Sequence, residues 1–216
     1  GVLMKKFMTS GAVALVLSSG VMAEESGAFV GLDLGLTSLN KMTYENSGGN
    51  SGTYAFGNLR YGLVGGYKWF FSENIGLRAY VALNNGANYL QTADARSGNQ
   101  FNSLFVNANV DFLNTFYNSE QVSAGWFAGL SLGAGIHSSG AVKIVTQSSN
   151  LSNVSGFDLG INLGLRTLFG KHHGIEFFTR FGVIGASARA EYPNNSKTDM
   201  STNQIYNAGI RYTYNF

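Results

Sequence analysis

The residues in this 216-residue chain with the chemistry to act on a substrate fall into three groups. The first is His137-Ser138-Ser139. A His and a Ser two positions apart share one face of a strand, and a Ser beside a His becomes an acyl-transfer nucleophile when an acid orients the His. No acid lies near on that segment, and strand parity turns the pair toward an interior. The expectation is a strand-to-loop junction, no catalytic residue and no enzyme. The second group is His172-His173. Adjacent side chains point apart and a third ligand is lacking, so a solvated turn is expected rather than a metal or cofactor site. The third group is a set of charges: Asp33, Arg60, Lys68, Arg78, Asp111, Asp158, Arg166, Glu176, Arg180 and Arg211. Each stands opposite an apolar row. Such a set is either an ion pathway or a network of pairs that fills a narrow interior.

The elements that place these charges are strands. Alternation of apolar and polar residues at period two marks a strand with one greasy face. It runs through Ala28–Leu36, Leu59–Trp69, Ile75–Leu83, Asn102–Phe112, Val122–Ile136, Phe157–Leu165, Ile175–Val183 and Gln204–Phe216. The last is the most regular: Tyr206, Ala208, Ile210, Tyr212, Tyr214 and Phe216 alternate with Asn207, Gly209, Arg211, Thr213 and Asn215. A soluble strand of this kind would expose an aggregation-prone edge, whereas a closed membrane barrel has none and gives its apolar face to lipid. No charge falls on any of the eight apolar faces, where lipid would make it cost about 2 to 4 kcal/mol. The fold expected is all-β, an eight-stranded antiparallel transmembrane β-barrel of the outer-membrane type.

Composition agrees. Charged residues make up 12% of the chain, about half the soluble norm, with 29 Gly, 13% aromatics and no Cys. Mean hydropathy is +0.01, which excludes a helical membrane protein. A net charge of +2 without a basic cluster excludes nucleic acid as a partner. Lys5 and Lys6, the apolar run Gly11–Leu17 and the small-residue site Val21-Met22-Ala23 predict a signal peptide over residues 1–23, starting at Met4, with Gly1–Leu3 before it. Residues 24–216 are then one barrel domain.

Connections alternate in length. Thr37–Phe56, Asn85–Gln100, Ser138–Val154 and Ser187–Asn203 are long and polar; Phe70–Asn74, Leu113–Glu120 and Thr167–Gly174 are short. Outer-membrane barrels have long external loops and short periplasmic turns, which puts both chain ends in the periplasm. Trp69, Phe70, Phe112, Phe116, Trp126, Phe169, Phe177, Tyr212, Tyr214 and Phe216 gather near the short turns and read as an interfacial girdle.

Four segments resemble the Helicobacter-type outer membrane protein family. They are Tyr61-Gly62-Leu63-Val64-Gly65-Gly66-Tyr67-Lys68, Asn109-Val110-Asp111-Phe112-Leu113, Gly170-Lys171-His172-His173-Gly174-Ile175-Glu176-Phe177 and Arg211-Tyr212-Thr213-Tyr214-Asn215-Phe216. The resemblance covers strands and turns from about Tyr61 onward. Larger members carry a cysteine-bearing external domain that binds host receptors, and this chain has no Cys. A C-terminal strand ending in Phe also resembles the signal by which outer-membrane barrels are recognised for assembly, which would make Tyr212, Tyr214 and Phe216 that signal. The His–Ser spacing is similar to that of the outer-membrane lipid A deacylases, but those turn the nucleophile to lipid.

The function expected is that of a small outer-membrane barrel, structural or surface-interacting, with a plugged lumen. Its partners would be outer-membrane lipid and lipopolysaccharide, the barrel assembly machinery, and a host or surface ligand at the loops. A minor channel for small solutes and a lipid-modifying enzyme are the alternatives. An eight-strand barrel is wide enough only to be filled by side chains, which favours pairing over conduction. Five inward Arg and Lys68 face four inward acids, so one or two bases, Lys68 first, are expected near an opening in water.

Overall fold

The computed structural model describes residues 24–46, 48–49, 51–90, 99–139, 154–191 and 197–216. The expected signal peptide, 1–23, lies outside them. Strands β1 (Gly27–Asn46), β2 (Ser51–Phe70), β3 (Ile75–Leu90), β4 (Asn99–Asn118), β5 (Val122–Ser139), β6 (Val154–Phe169), β7 (His173–Ile184), β8 (Ala186–Glu191) and β9 (Lys197–Asn215) form one antiparallel sheet. β7 and β8 pair end to end with the same strand, β9, on either side of Gly185, so together they make one stave. β9 also pairs with β1, which closes eight staves into a barrel.

Closure rests on the regular alternation of the two terminal strands. Asp33 lies opposite Arg211 and Leu32 opposite Tyr212, so polar meets polar inside and apolar meets apolar outside. Outward positions stay exposed: Leu32 is 59% exposed, Leu63 57%, Leu130 61% and Leu165 58%. In water that would be untenable; in lipid it is the stable arrangement.

Three expectations about the connections change. Three of the four segments read as long loops are in part strand: β1 runs to Asn46 and β2 restarts at Ser51, β3 runs to Leu90, and β9 begins at Lys197. The fourth, Ser138–Val154, lies outside the described residues over 140–153. Apolar periodicity marks only the lipid-facing part of a strand. Beyond it, backbone pairing continues through Asn, Ser and Thr, with register shifts such as that between Gly35 and Leu39. The short connection at Leu113–Glu120 shrinks likewise, because β4 continues to Asn118 through a bulge between Thr115 and Tyr117. The third short turn spans residues 170–172, and Gly170 and Lys171 take positive φ of 55° and 67° to make it that tight.

Candidate functional site

The lumen is where the charged residues meet, and it is packed in three tiers. At the short-turn end, Glu24 lies inside the barrel mouth, ahead of β1. One carboxylate oxygen accepts from Lys68 Nζ of β2 at 2.6 Å and the other from Arg166 Nη1 of β6. β2 and β6 are opposite staves, so one acid clasps the barrel across its width. Arg166 also donates to Thr115 Oγ1 at 2.7 Å. Burial pushes the Glu24 carboxyl up, but Lys68 and Arg166 together outweigh it and hold it below its ordinary value.

The middle tier is a chain of five charges. Arg211 of β9 grips Asp33 of β1 through Nε at 2.5 Å and Nη2 at 3.0 Å. Its Nη1 donates to Glu176 of β7 at 3.3 Å. Glu176 accepts in turn from Arg78 Nη1, and Arg78 of β3 donates through Nη2 to Asp111 of β4 at 2.8 Å. The strand register sets Asp33, Arg211 and Glu176 side by side, and Arg78 beside Asp111. The link between Arg78 and Glu176 joins opposite staves through the centre of the lumen.

The third tier lies toward the long hairpins. Asp158 of β6 accepts from Arg180 Nη2 of β7 at 2.8 Å and from Asn107 Nδ2 of β4 at 2.7 Å. Arg180 also donates to Ser131 Oγ and Gln204 Oε1, both at 2.8 Å. Beyond it Arg60 of β2 is 3% exposed and lies flat on the Phe105 ring, 3.8 Å from its centroid.

Aromatic rings fill the space between tiers. Phe29, Tyr80, Phe105, Phe127 and Phe178 all point inward and are buried. Arg78 lies 4.7 Å from the Phe127 centroid and 5.0 Å from that of Tyr80; Arg211 lies 4.9 Å from Tyr80. A guanidinium takes carboxylates at its edge and a ring on its face at once, so aromatic packing excludes water without opposing the charge. Two glycines make this fit: a Cβ at Gly164 would strike the Phe127 ring, and one at Gly160 would lie 2.5 Å from Arg180 Cζ.

The family model for "Helicobacter outer membrane protein" matches residues 62–216. The chain belongs to that family. It is therefore an outer-membrane protein, and the closed barrel is the family member's membrane-spanning body. No curated protein matches the chain. Among solved structures it is similar to the outer membrane protein OprG of Pseudomonas aeruginosa, with 15% identity over 90% of this chain and 99% of that one and a TM-score of 0.55. It is similar also to AlkL (12% identity, 93% and 94% covered, TM-score 0.49) and to Neisserial surface protein A (16%, 87% and 98%, TM-score 0.43). The likeness to OprG is one of fold.

Several residues of this Helicobacter-family barrel stand elsewhere than expected. Lys68 is not in water: it is 5% exposed and held by Glu24. Periodicity missed Glu24 because it precedes the first alternating residue; the shortfall of inward acids was the one signal pointing to the Glu24-Glu25 pair. Phe70 leaves the girdle. Its neighbour Trp69 faces out, so Phe70 turns in, against Leu113, Phe127 and Phe178, with Arg166 5.5 Å from its centroid. Leu113, read as part of a turn, is fully buried in that same cluster.

The His172-His173 turn is exposed but not merely solvated. His172 stacks on Tyr214 at 5.6 Å and donates from Nδ1 to the Asn215 carbonyl at 2.7 Å; His173 Nδ1 lies 2.8 Å from Tyr212 Oη. The turn thus grips the last strand, whose Phe216 amide donates to Ala28 O at 3.0 Å. His137, Ser138 and Ser139 end β5 as strand residues, and their side chains lie outside those described. Among the described residues no group of three or more His, Cys, Asp or Glu could hold a metal ion.

Proposed function

We propose that this family member is a non-enzymatic, structural or surface-interacting barrel whose lumen is a plug rather than a pore. The observation that carries this is the five-charge chain from Asp33 to Asp111, which crosses the lumen between opposite staves. A conducting path would have to break buried ion pairs, and removing one partner of such a pair costs about 3 to 5 kcal/mol.

Residues 24–216 are then the barrel and 1–23 its export signal. The short-turn end, which holds both Glu24 and Phe216, faces the periplasm. The belt of exposed Leu, Val and Phe contacts outer-membrane lipid and lipopolysaccharide, with aromatics such as Trp69 and Trp126 at its rim. Tyr212, Tyr214 and Phe216 are what the assembly machinery reads. The paired polar hairpins reaching beyond the belt are the surface offered to a host or surface ligand.

The test is planar-bilayer recording on the refolded barrel, with lipid-hydrolysis assays on the same preparation. A plugged, non-enzymatic barrel passes little current and releases no fatty acid. Stable large channels whose ion selectivity switches on charge reversal at Arg180 or Arg211 would replace the plug with a pore; fatty-acid release would restore an enzyme.

A further inference from the structure

The tiers leave one charge over. Among the described residues, six buried or nearly buried bases (Arg60, Lys68, Arg78, Arg166, Arg180, Arg211) share the lumen with five buried acids (Glu24, Asp33, Asp111, Asp158, Glu176). Five of the bases are in ion pairs with those acids. Arg60 is the sixth. Its Nε and Nη2 are buried and have no hydrogen-bond partner. Both acids nearest in the tiers are committed, Asp33 to Arg211 and Asp158 to Arg180 and Asn107. The Phe105 ring covers one face of the guanidinium and offers only its quadrupole.

Arg60 borders a cavity of about 30 Å³ in the half of the lumen nearer the long hairpins, together with Arg180, Asn207 and Gln204. That volume suits one particle of about water size. We infer that this cavity binds a single small monovalent anion, of chloride size and charge, on Arg60. Charge decides between an anion and water. A water would satisfy the two N–H groups but leave a buried guanidinium uncompensated, which a low-dielectric interior tolerates poorly. One anion brings the count to six against six. A carboxylate or phosphate ester would be too large. Asn207 borders the same cavity, and turning its amide over would put N–H donors where its unpartnered Oδ1 now lies. Asp33 borders the cavity too and repels an anion, but its carboxylate is neutralised by the paired grip of Arg211.

The inference goes beyond the plug, and its test is separate from conductance. Crystals of the full barrel grown in bromide in place of chloride should show an anomalous-scattering peak within hydrogen-bond distance of Arg60 Nε and Nη2. In lipid nanodiscs, the chlorine-35 NMR linewidth should carry an excess that bromide competes away, and Arg60→Gln should abolish it while Arg60→Lys retains part of it. A cavity holding water with no anomalous peak, or equal linewidth excess in wild type and Arg60→Gln, would overturn the assignment. Should Arg60→Gln fail to fold, the bromide peak in the wild-type barrel decides alone.

Discussion

The bond between Arg78 and Glu176 joins opposite sides of the barrel, and its two ends should not be equally costly to remove. Glu176→Gln keeps the volume and removes one charge. Arg78 then still has Asp111, through Nε at 3.2 Å and Nη2 at 2.8 Å, and Arg211 still has Asp33. Two neutral pairs remain and no charge is bare, so the loss should fall at the low end for a buried pair, about 3 kcal/mol. Arg78→Met does the opposite. Glu176 keeps Arg211, but Asp111, fully buried, is left with only the Asn162 amide at 3.2 Å. A stranded buried carboxylate belongs at the high end, about 5 kcal/mol. The coupling between the two sites in a double-mutant cycle should be about 2 kcal/mol, the range of a charge-assisted hydrogen bond. Reversible urea unfolding in lipid vesicles measures this, with Trp69 and Trp126 on the outer face as fluorescent reporters of leaving lipid. If both variants lie within about 1 kcal/mol of wild type, or Glu176→Gln is the costlier, the lumen is not held as described.

Three further outcomes are expected. Because Lys68 and Arg166 hold the Glu24 carboxyl below its ordinary value of 4.5, its stabilising contribution is fully present above that pH and is lost as pH falls through the lower folded value. The stability gap between wild type and Glu24→Gln should therefore be flat near neutrality and narrow below about pH 4; a gap that widens in acid contradicts the pairing. Deleting Phe216 removes one exposed ring and the hydrogen bond to Ala28, about 1 kcal/mol, so refolding in vitro should barely change while heat-modifiable protein in the outer membrane falls severalfold; equal losses in both assays would make Phe216 a stability residue and not a signal. Epitope tags placed within 140–153 or at Gly48-Gly49 should be reached by antibody on intact cells and tags at Ser119–Gln121 should not, and the reverse pattern would invert the barrel.

How much of this was legible in the sequence follows from what each solvent imposes. Lipid forbids charge on one face and leaves the other to polar groups, so alternation alone placed the staves and put Asp33, Arg78, Asp111, Glu176 and Arg211 inside. Where lipid stops, the constraint stops. The hairpins beyond Leu36 and Leu83 mix polar and apolar residues without the strict alternation of the lipid-facing part, and their strands are held by backbone pairing that side-chain type does not record. Phe70 and Leu113 alternate with their outward neighbours Trp69 and Phe112 and so face inward; the sequence misplaces them because β2 and β4 run on past the last clearly apolar-faced residue. Pairing across the lumen lay further out of reach. Register names the neighbour of Arg78 as Asp111, but nothing in sequence spacing says that Glu176, four staves away, closes on the same guanidinium. Counting charges is the one long-range signal a sequence does carry. It showed that inward acids were too few; Glu24 removes part of the deficit, and the remainder settles on Arg60. Arithmetic finds the missing charge, and only the packed interior shows where it belongs.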